Sequence, residues 1–185
     1  MNIDKRLNLV IPIEDEGRIT AYVHSMPISE ASFRANYMVI AKTFSAIYGQ
    51  GLAGLSGPRV ALYLMEEIAK TDGVWEKVEK TLIADMRRLS NFIVPGQDPI
   101  PLQEALDKKL ISPEDASEVE NAIAFFTVTS SMHRKAVLEA ILEGAMSYWS
   151  GQITRSSPTE FAASLKTLTA PVSTGAKETL SSIPS

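Results

Sequence analysis

The chain has no cysteine and only two histidines, His24 and His133. Disulfides, zinc–thiolate sites and thiol catalysis are therefore excluded, and a site built from several histidines is out of reach. Apolar runs are short as well, and none approaches the ~18 uninterrupted residues of a membrane-spanning helix. We therefore expect no metal site and no membrane insertion.

Positive charge is not in excess. The chain carries 22 acidic and 18 basic residues, for a net charge of −4 at pH 7. Its two dense basic segments, Arg87-Arg88 and His133-Arg134-Lys135, lie among acidic neighbours. A nucleic-acid-binding protein would concentrate Lys and Arg on one surface, so the sequence predicts no nucleic-acid partner.

The pattern of apolar residues predicts a mainly α-helical chain that begins with a β-hairpin. Residues 8–13 and 18–24 are β-rich runs joined by the turn-like residues 14–17, and Pro12 favours an edge strand or a break. From Ser29 onward apolar residues recur every three or four positions, as on one face of a helix. The expected fold is this hairpin followed by a bundle of about five to six helices. Helical segments are predicted at 29–48, 59–70, 74–89, 113–132 and 134–149, with shorter ones at 102–108 and from 158 to 165.

Two composition changes divide the chain. The proline-rich segment 95–101 is expected to be a loop between an N-terminal and a C-terminal half of the body. Residues 166–185 are rich in Ser, Thr, Ala and Pro and carry too few apolar residues to form a core. We therefore expect a hairpin plus helical domain over 1–165 and a flexible tail over 166–185.

The segment YGQGLAGLSG contains Gly49-x-Gly51-x-x-Gly54, the spacing of the dinucleotide-binding fingerprint. That fingerprint requires a strand before the glycines, whereas a helical pattern precedes them here. Ser56 does not fit a nucleophile elbow, because Pro58 stands where that motif needs glycine. The segment is therefore interpreted as a connection between two helices, in which Gly54 and Gly57 supply backbone freedom. We expect no cofactor, no catalytic residue and no enzymatic activity.

An aromatic stripe runs along the first long predicted helix. It consists of Phe33, Tyr37, Phe44 and Tyr48, with Met38 beside it. Such a stripe is typical of a core-facing helix, but it can also form a groove that accepts a helix of another protein. Both interpretations are kept, and these four aromatic residues are the candidate partner-binding residues.

The order of these elements resembles a known family. The segment ITAYVHSMPISEASFRANYMVIAK leads from the hairpin into a long helix, a helical body follows, and the chain closes with TAPVSTGAKETLSSIPS. VENAIAFFTVTSSMHRKA and TEFAASL add local similarity. In this plan the chain resembles the tail assembly chaperones of lambda-type long-tailed phages.

The resemblance implies a non-enzymatic protein. Chaperones of this family bind the tape measure protein and keep it soluble before the tail tube polymerises around it, and some have a longer frameshifted form that recruits tail tube protein. The implied partners are the tape measure protein and possibly the tail tube protein, with homo-oligomerisation as a further possibility. The implied location is the host cytoplasm, not the mature virion. The alternative is a structural virion component, such as a minor tail or head–tail joining protein.

Overall fold

Helices make up more than half of the residues that the computed structural model describes, which are 7–54, 56–146 and 150–168. The prediction of a mainly α-helical chain is confirmed. The strands, however, form a five-stranded antiparallel sheet, which is larger than the predicted hairpin. The expected fold of a hairpin followed by a bundle of about five to six helices is therefore confirmed only in its mainly α-helical character, because three further strands extend the hairpin into a sheet.

The sheet has the strand order β4-β3-β2-β1-β5. Its strands are β1 (Asn8–Asp15), β2 (Arg18–Ser25), β3 (Ser90–Ile93), β4 (Ile100–Pro101) and β5 (Gln152–Thr154). Strands β1 and β2 form the predicted hairpin, whose two turn residues Glu16 and Gly17 both have positive φ, the backbone of a tight hairpin turn. β1 lies inside the sheet rather than at its edge. Because β5 pairs only with residues 8–10, Pro12 lies where only β2 pairs with β1.

The helices begin and end close to the predicted signals. Ser112 caps one of them by accepting a hydrogen bond from the Asp115 backbone N–H, and Pro113 occupies its first turn. The helical elements are α1 (Glu30–Ala35), α2 (Tyr37–Gly49), α3 (Gly57–Thr71), α4 (Trp75–Val78), a π-helical segment (Glu79–Ile83), α5 (Ala84–Arg88), α6 (Leu102–Asp107), α7 (Pro113–Met132), α8 (Lys135–Met146) and α9 (Pro158–Leu168). From α4 to α5 the backbone forms one continuous helical rod over residues 75–88.

The single helix predicted from Ser29 to Tyr48 is in fact two helices. Ser29 is its N-cap as predicted, but Asn36 leaves the helical conformation with φ −120° and ψ 15°. The Asn36 side-chain amide donates to the Ser32 carbonyl, and its Oδ1 accepts from the Thr81 hydroxyl. Asparagine competes in this way with the helical hydrogen bonds, so α1 ends and α2 begins at this residue.

Helix α7 lies at the centre of the core. Residues 121–131 are buried on every side, and Phe125 and Phe126 are fully buried. Helices α2, α3 and α8 and strand β1 pack around it. Leu9 and Ile11 of β1 face this main core. The buried segment of α7, which includes polar as well as apolar residues, therefore forms the interior of the helical layer.

Helix α9 covers the other face of the sheet. Val10, between Leu9 and Ile11, packs in a second cluster with Ile93 and Phe161, because alternate strand residues point to opposite faces. The predicted capping box is present, since Ser157 and Glu160 each accept a hydrogen bond from the other's backbone N–H. The helix runs to Leu168, past the domain boundary predicted at 165. The predicted tail from 169 onward, and Trp149 of the helix predicted at 134–149, lie outside the described residues.

The glycine-rich segment connects α2 to α3, as its context predicts. Gly51 needs glycine because its φ is +71°. Gly57 has a different role from the one expected, because it lies against the Phe125 ring, where a Cβ would come within 2.7 Å of Cε2. Gly57 therefore allows a close approach of α3 to α7 rather than supplying backbone freedom.

Candidate functional site

The break at Asn36 leaves two large apolar side chains in solvent. Tyr37 and Met38, the first residues of α2, are 48% and 61% exposed. Val39, the next residue, is buried. Tyr37 and Met38 both line the same concavity, so they belong to one exposed apolar surface.

A groove of about 350 Å³ runs beside this surface. One wall is the end of α1 and the start of α2, and the other is Val74 with α4. Its apolar lining consists of Ala35, Tyr37, Met38, Val39, Val74 and Val78. We call this site the Tyr37 groove. A mainly apolar concavity of this size is typical of a site that accepts side chains of a ligand or partner.

One polar contact joins the two walls, and two others connect the segments next to them. The Thr81 hydroxyl donates to Asn36 Oδ1 (3.0 Å), and Lys77 Nζ donates to the Ala35 carbonyl (3.0 Å). Lys42 and Asp72 form an ion pair at 2.6 Å between α2 and the residue that follows α3. The groove is therefore formed in the free chain and does not require a partner to bring its walls together.

The charge around the groove is positive. Arg34 and Lys77 are the charged residues among its lining, and none of its described lining residues is acidic. Arg34 is highly exposed and pairs with Glu30 one helical turn before it. The positive charge of the groove lining that has no acidic partner among the described residues is thus that of Lys77, although the chain as a whole has a net charge of −4.

The four predicted partner-binding aromatics are divided between two places. Phe33 and Tyr37 contact each other edge to face, with ring centroids 5.6 Å apart, beside the groove. Phe44 and Tyr48 stack on each other at 4.4 Å, away from it. The structure therefore brings together two pairs, and only Tyr37 of the four lines the groove.

Phe44 and Tyr48 pack against the junction of α7 and α8. The His133 ring meets Phe44 and Tyr48 edge-on at 5.1 and 5.0 Å. The Tyr48 hydroxyl lies 3.0 Å from Thr129 Oγ1. Burial raises the pKa of Tyr48 and lowers the pKa of His133, so both groups are held neutral near pH 7. These contacts are those of a core cluster.

The two histidines make structural contacts in the described part of the chain. His24 is fully buried, its Nε2 donates to the Ser156 carbonyl at 2.8 Å, and burial lowers its pKa. No hydrogen bond in the described part of the chain joins Ser56 to His24 or His133, and no three acidic or histidine side chains there are grouped to hold a metal ion.

No family model, curated protein or solved structure matches this chain. Function is therefore inferred from the Tyr37 groove and from the resemblance of the sequence. Among the described helices, none is long and apolar enough to cross a membrane.

Sequence reasoning missed the second wall of the groove. Val74 and Val78 have the spacing of buried helix residues, and Val78 is indeed buried. Lys77 lies between them and gives no signal of its own. The wall arises only because α4 packs beside the break at Asn36. The asparagine within an apolar helical pattern is the one feature of the sequence that could have indicated the site.

Proposed function

We propose that this protein is a non-enzymatic tail assembly chaperone of a long-tailed phage. It binds helical segments of the tape measure protein and keeps them soluble while the tail tube assembles. The observation that carries the proposal is the exposed Tyr37–Met38 surface beside a preformed apolar groove. An exposed aromatic and a methionine next to an apolar concavity are typical of protein-binding surfaces.

The groove suits a helical client. An amphipathic helix presents apolar side chains at i, i+3, i+4 and i+7, and such side chains bind apolar grooves as anchors. Because Tyr37 and Met38 are 48% and 61% exposed, burying the rest of each side chain provides roughly 0.7–1.8 kcal/mol before the cost of association is subtracted. A single contact of this size is weak and reversible. Reversible binding is what a chaperone needs when the tail tube replaces it on the client.

The sequence resemblance supports the same proposal. It names the tape measure protein as the client, with the tail tube protein as a possible second partner, and places the protein in the host cytoplasm.

Co-expression with the tape measure protein of the same phage tests the proposal. The chain is expected to keep that protein in the soluble fraction, and Tyr37→Ser with Met38→Ser is expected to reduce the soluble amount severalfold. Val137→Ser is the matched control, because Val137 is 48% exposed, like Tyr37, but lies on α8 outside the groove. A tape measure protein that precipitates equally with and without the chain would contradict the proposal.

The composition of purified virions separates this function from a structural role in the particle. A chaperone is expected to be absent from mature virions or present only in traces by quantitative mass spectrometry. Copy numbers comparable to those of minor tail or joining proteins would favour the structural alternative instead.

A further inference from the structure

We propose that the Tyr37 groove selects amphipathic helices whose apolar face is bordered by carboxylates. The inference rests on the proposed function, because it takes the Tyr37 groove as the site that binds the client. It adds the charge that the client helix carries beside its apolar face. The charged groups lining the groove are the guanidinium of Arg34 and the ammonium of Lys77, with no acidic residue among the described lining.

Lys77 differs from its basic neighbours. Lys42, Lys70 and Lys80 each pair with a carboxylate at 2.6 Å. Lys77 instead donates to the backbone carbonyl of Ala35, and it has no carboxylate partner among the described residues. Its charge is therefore not neutralised by an acidic side chain of the chain itself.

The Lys77 side chain is exposed and oriented toward one wall of the groove. Lys77 Nζ donates to Ala35 O at 3.0 Å, a contact that joins the two walls. The charge therefore lies beside the apolar lining and is accessible to a partner. A helix that lays its apolar side chains into the groove would bring flanking glutamates or aspartates close to Lys77 and Arg34.

Such charge pairs affect selectivity more than total affinity. Exposed ion pairs are individually weak, but they steer association and disfavour partners with the wrong charge. Because Arg34 is already paired with Glu30, Lys77 should be the main group that discriminates between acidic and basic helices with the same apolar face. The discrimination should fall with added salt, because salt screens exposed charges.

Two synthetic helical peptides test the inference with the full chain. They share one apolar face of Leu and Phe, and the bordering positions carry Glu in one peptide and Lys in the other. By fluorescence anisotropy at low salt, the Glu peptide is expected to bind about fivefold to thirtyfold more tightly. At 0.5 M NaCl the ratio should approach one.

Three variants test whether Lys77 causes the preference for the Glu peptide. Lys77→Gln keeps a donor for the Ala35 carbonyl but removes the charge, so it should lower the preference for the Glu peptide severalfold. Lys77→Glu should abolish or invert it. Lys80→Glu makes the same charge change on the same helical rod, outside the groove lining, and should leave the preference unchanged. Circular dichroism checks that each variant is folded.

Several results would overturn the inference. These are equal binding of the two peptides, no binding of either peptide, or equal effects of Lys77→Glu and Lys80→Glu. If sedimentation shows a dimer that Tyr37→Ser dissociates, a second copy of the chain occupies the groove. This result would also overturn the inference. If the peptides bind equally but Tyr37→Ser abolishes binding, the groove keeps its role and only the charge selectivity fails. If the Glu preference holds but the tape measure protein still precipitates, the proposed function fails instead.

Discussion

Replacing Gly57 by alanine is expected to destabilise the chain through the contact of α3 with α7. An alanine Cβ at this position would lie 2.7 and 2.9 Å from two carbons of the Phe125 ring. Ordinary carbon contacts begin at roughly 3.5 Å, so the new methyl group is about 0.8 Å too close. Phe125 is fully buried and stacks against Tyr48, with ring centroids 6.4 Å apart, so its ring has little room to move.

Gly54→Ala provides the control that sets the magnitude. Nothing lies within 4 Å of a Cβ at Gly54, and neither glycine has positive φ. Both substitutions reduce the entropy of the unfolded chain, which stabilises each variant by about 0.4–1 kcal/mol. Only Gly57→Ala also meets the overpacking cost of about 1–3 kcal/mol. The free energies of unfolding of the two variants should therefore differ by about 1–3 kcal/mol.

Urea denaturation followed by circular dichroism measures this difference. The double variant Gly57→Ala/Phe125→Leu shortens the opposing side chain, so it should recover stability relative to the sum of the single variants by at least about 0.5 kcal/mol. Equal midpoints for Gly57→Ala and Gly54→Ala would refute the account of Gly57 as a packing position. A double variant with additive losses would show that Phe125 is not the group that resists the methyl.

Three further predictions concern stability. Burial lowers the pKa values of His24 and His133, so the unfolded chain binds more protons than the folded chain below pH 6.5. The free energy of unfolding should therefore fall as the pH drops from 6.5 to 5. Urea titrations at each pH should show that His133→Phe flattens this dependence. Phe161→Ala should cost about 3–5 kcal/mol if the sheet cannot close over the space, because Phe161 anchors α9; a loss below ~1 kcal/mol by urea denaturation would argue against this. Asn36→Ala should cost about 0.5–1.5 kcal/mol, since it removes the hydrogen bonds of the Asn36 side chain with the Ser32 carbonyl and the Thr81 hydroxyl, and an unchanged melting curve would contradict this.

The capped helices could be predicted from the sequence because their signals are local. Ser112 and Pro113 mark the start of α7, and the predicted range 113–132 is the observed one. The hairpin could likewise be predicted from its two β-rich runs and the glycine in its turn. In both cases the residues that determine the element lie next to each other in the chain.

The missed strands depend on distant partners. β4 and β5 have two and three residues, too few for any alternation to be seen. β3 follows directly on α5, and its pairing with β2 is what makes it a strand. Short segments of this kind become strands because a longer neighbour supplies hydrogen bonds to their backbone.

The spacing of apolar residues does not reveal the break at Asn36, for a related reason. Phe33, Tyr37 and Ile40 keep the spacing of one helical face across it, so the pattern reads as a single helix. At the break Asn36 Oδ1 accepts a hydrogen bond from the hydroxyl of Thr81, which lies in another part of the chain. The Tyr37 groove could not be predicted either, because its two walls come from α1–α2 and α4 and meet only in the folded chain.

Photo-crosslinking from within the groove tests the central claim most directly. Met38→benzoylphenylalanine and Val137→benzoylphenylalanine would each be co-expressed with the tape measure protein and irradiated. A helical client in the Tyr37 groove predicts a strong crosslink from position 38 and little from position 137. Equal yields from the two positions, or a crosslink from position 137 alone, would contradict binding in the groove.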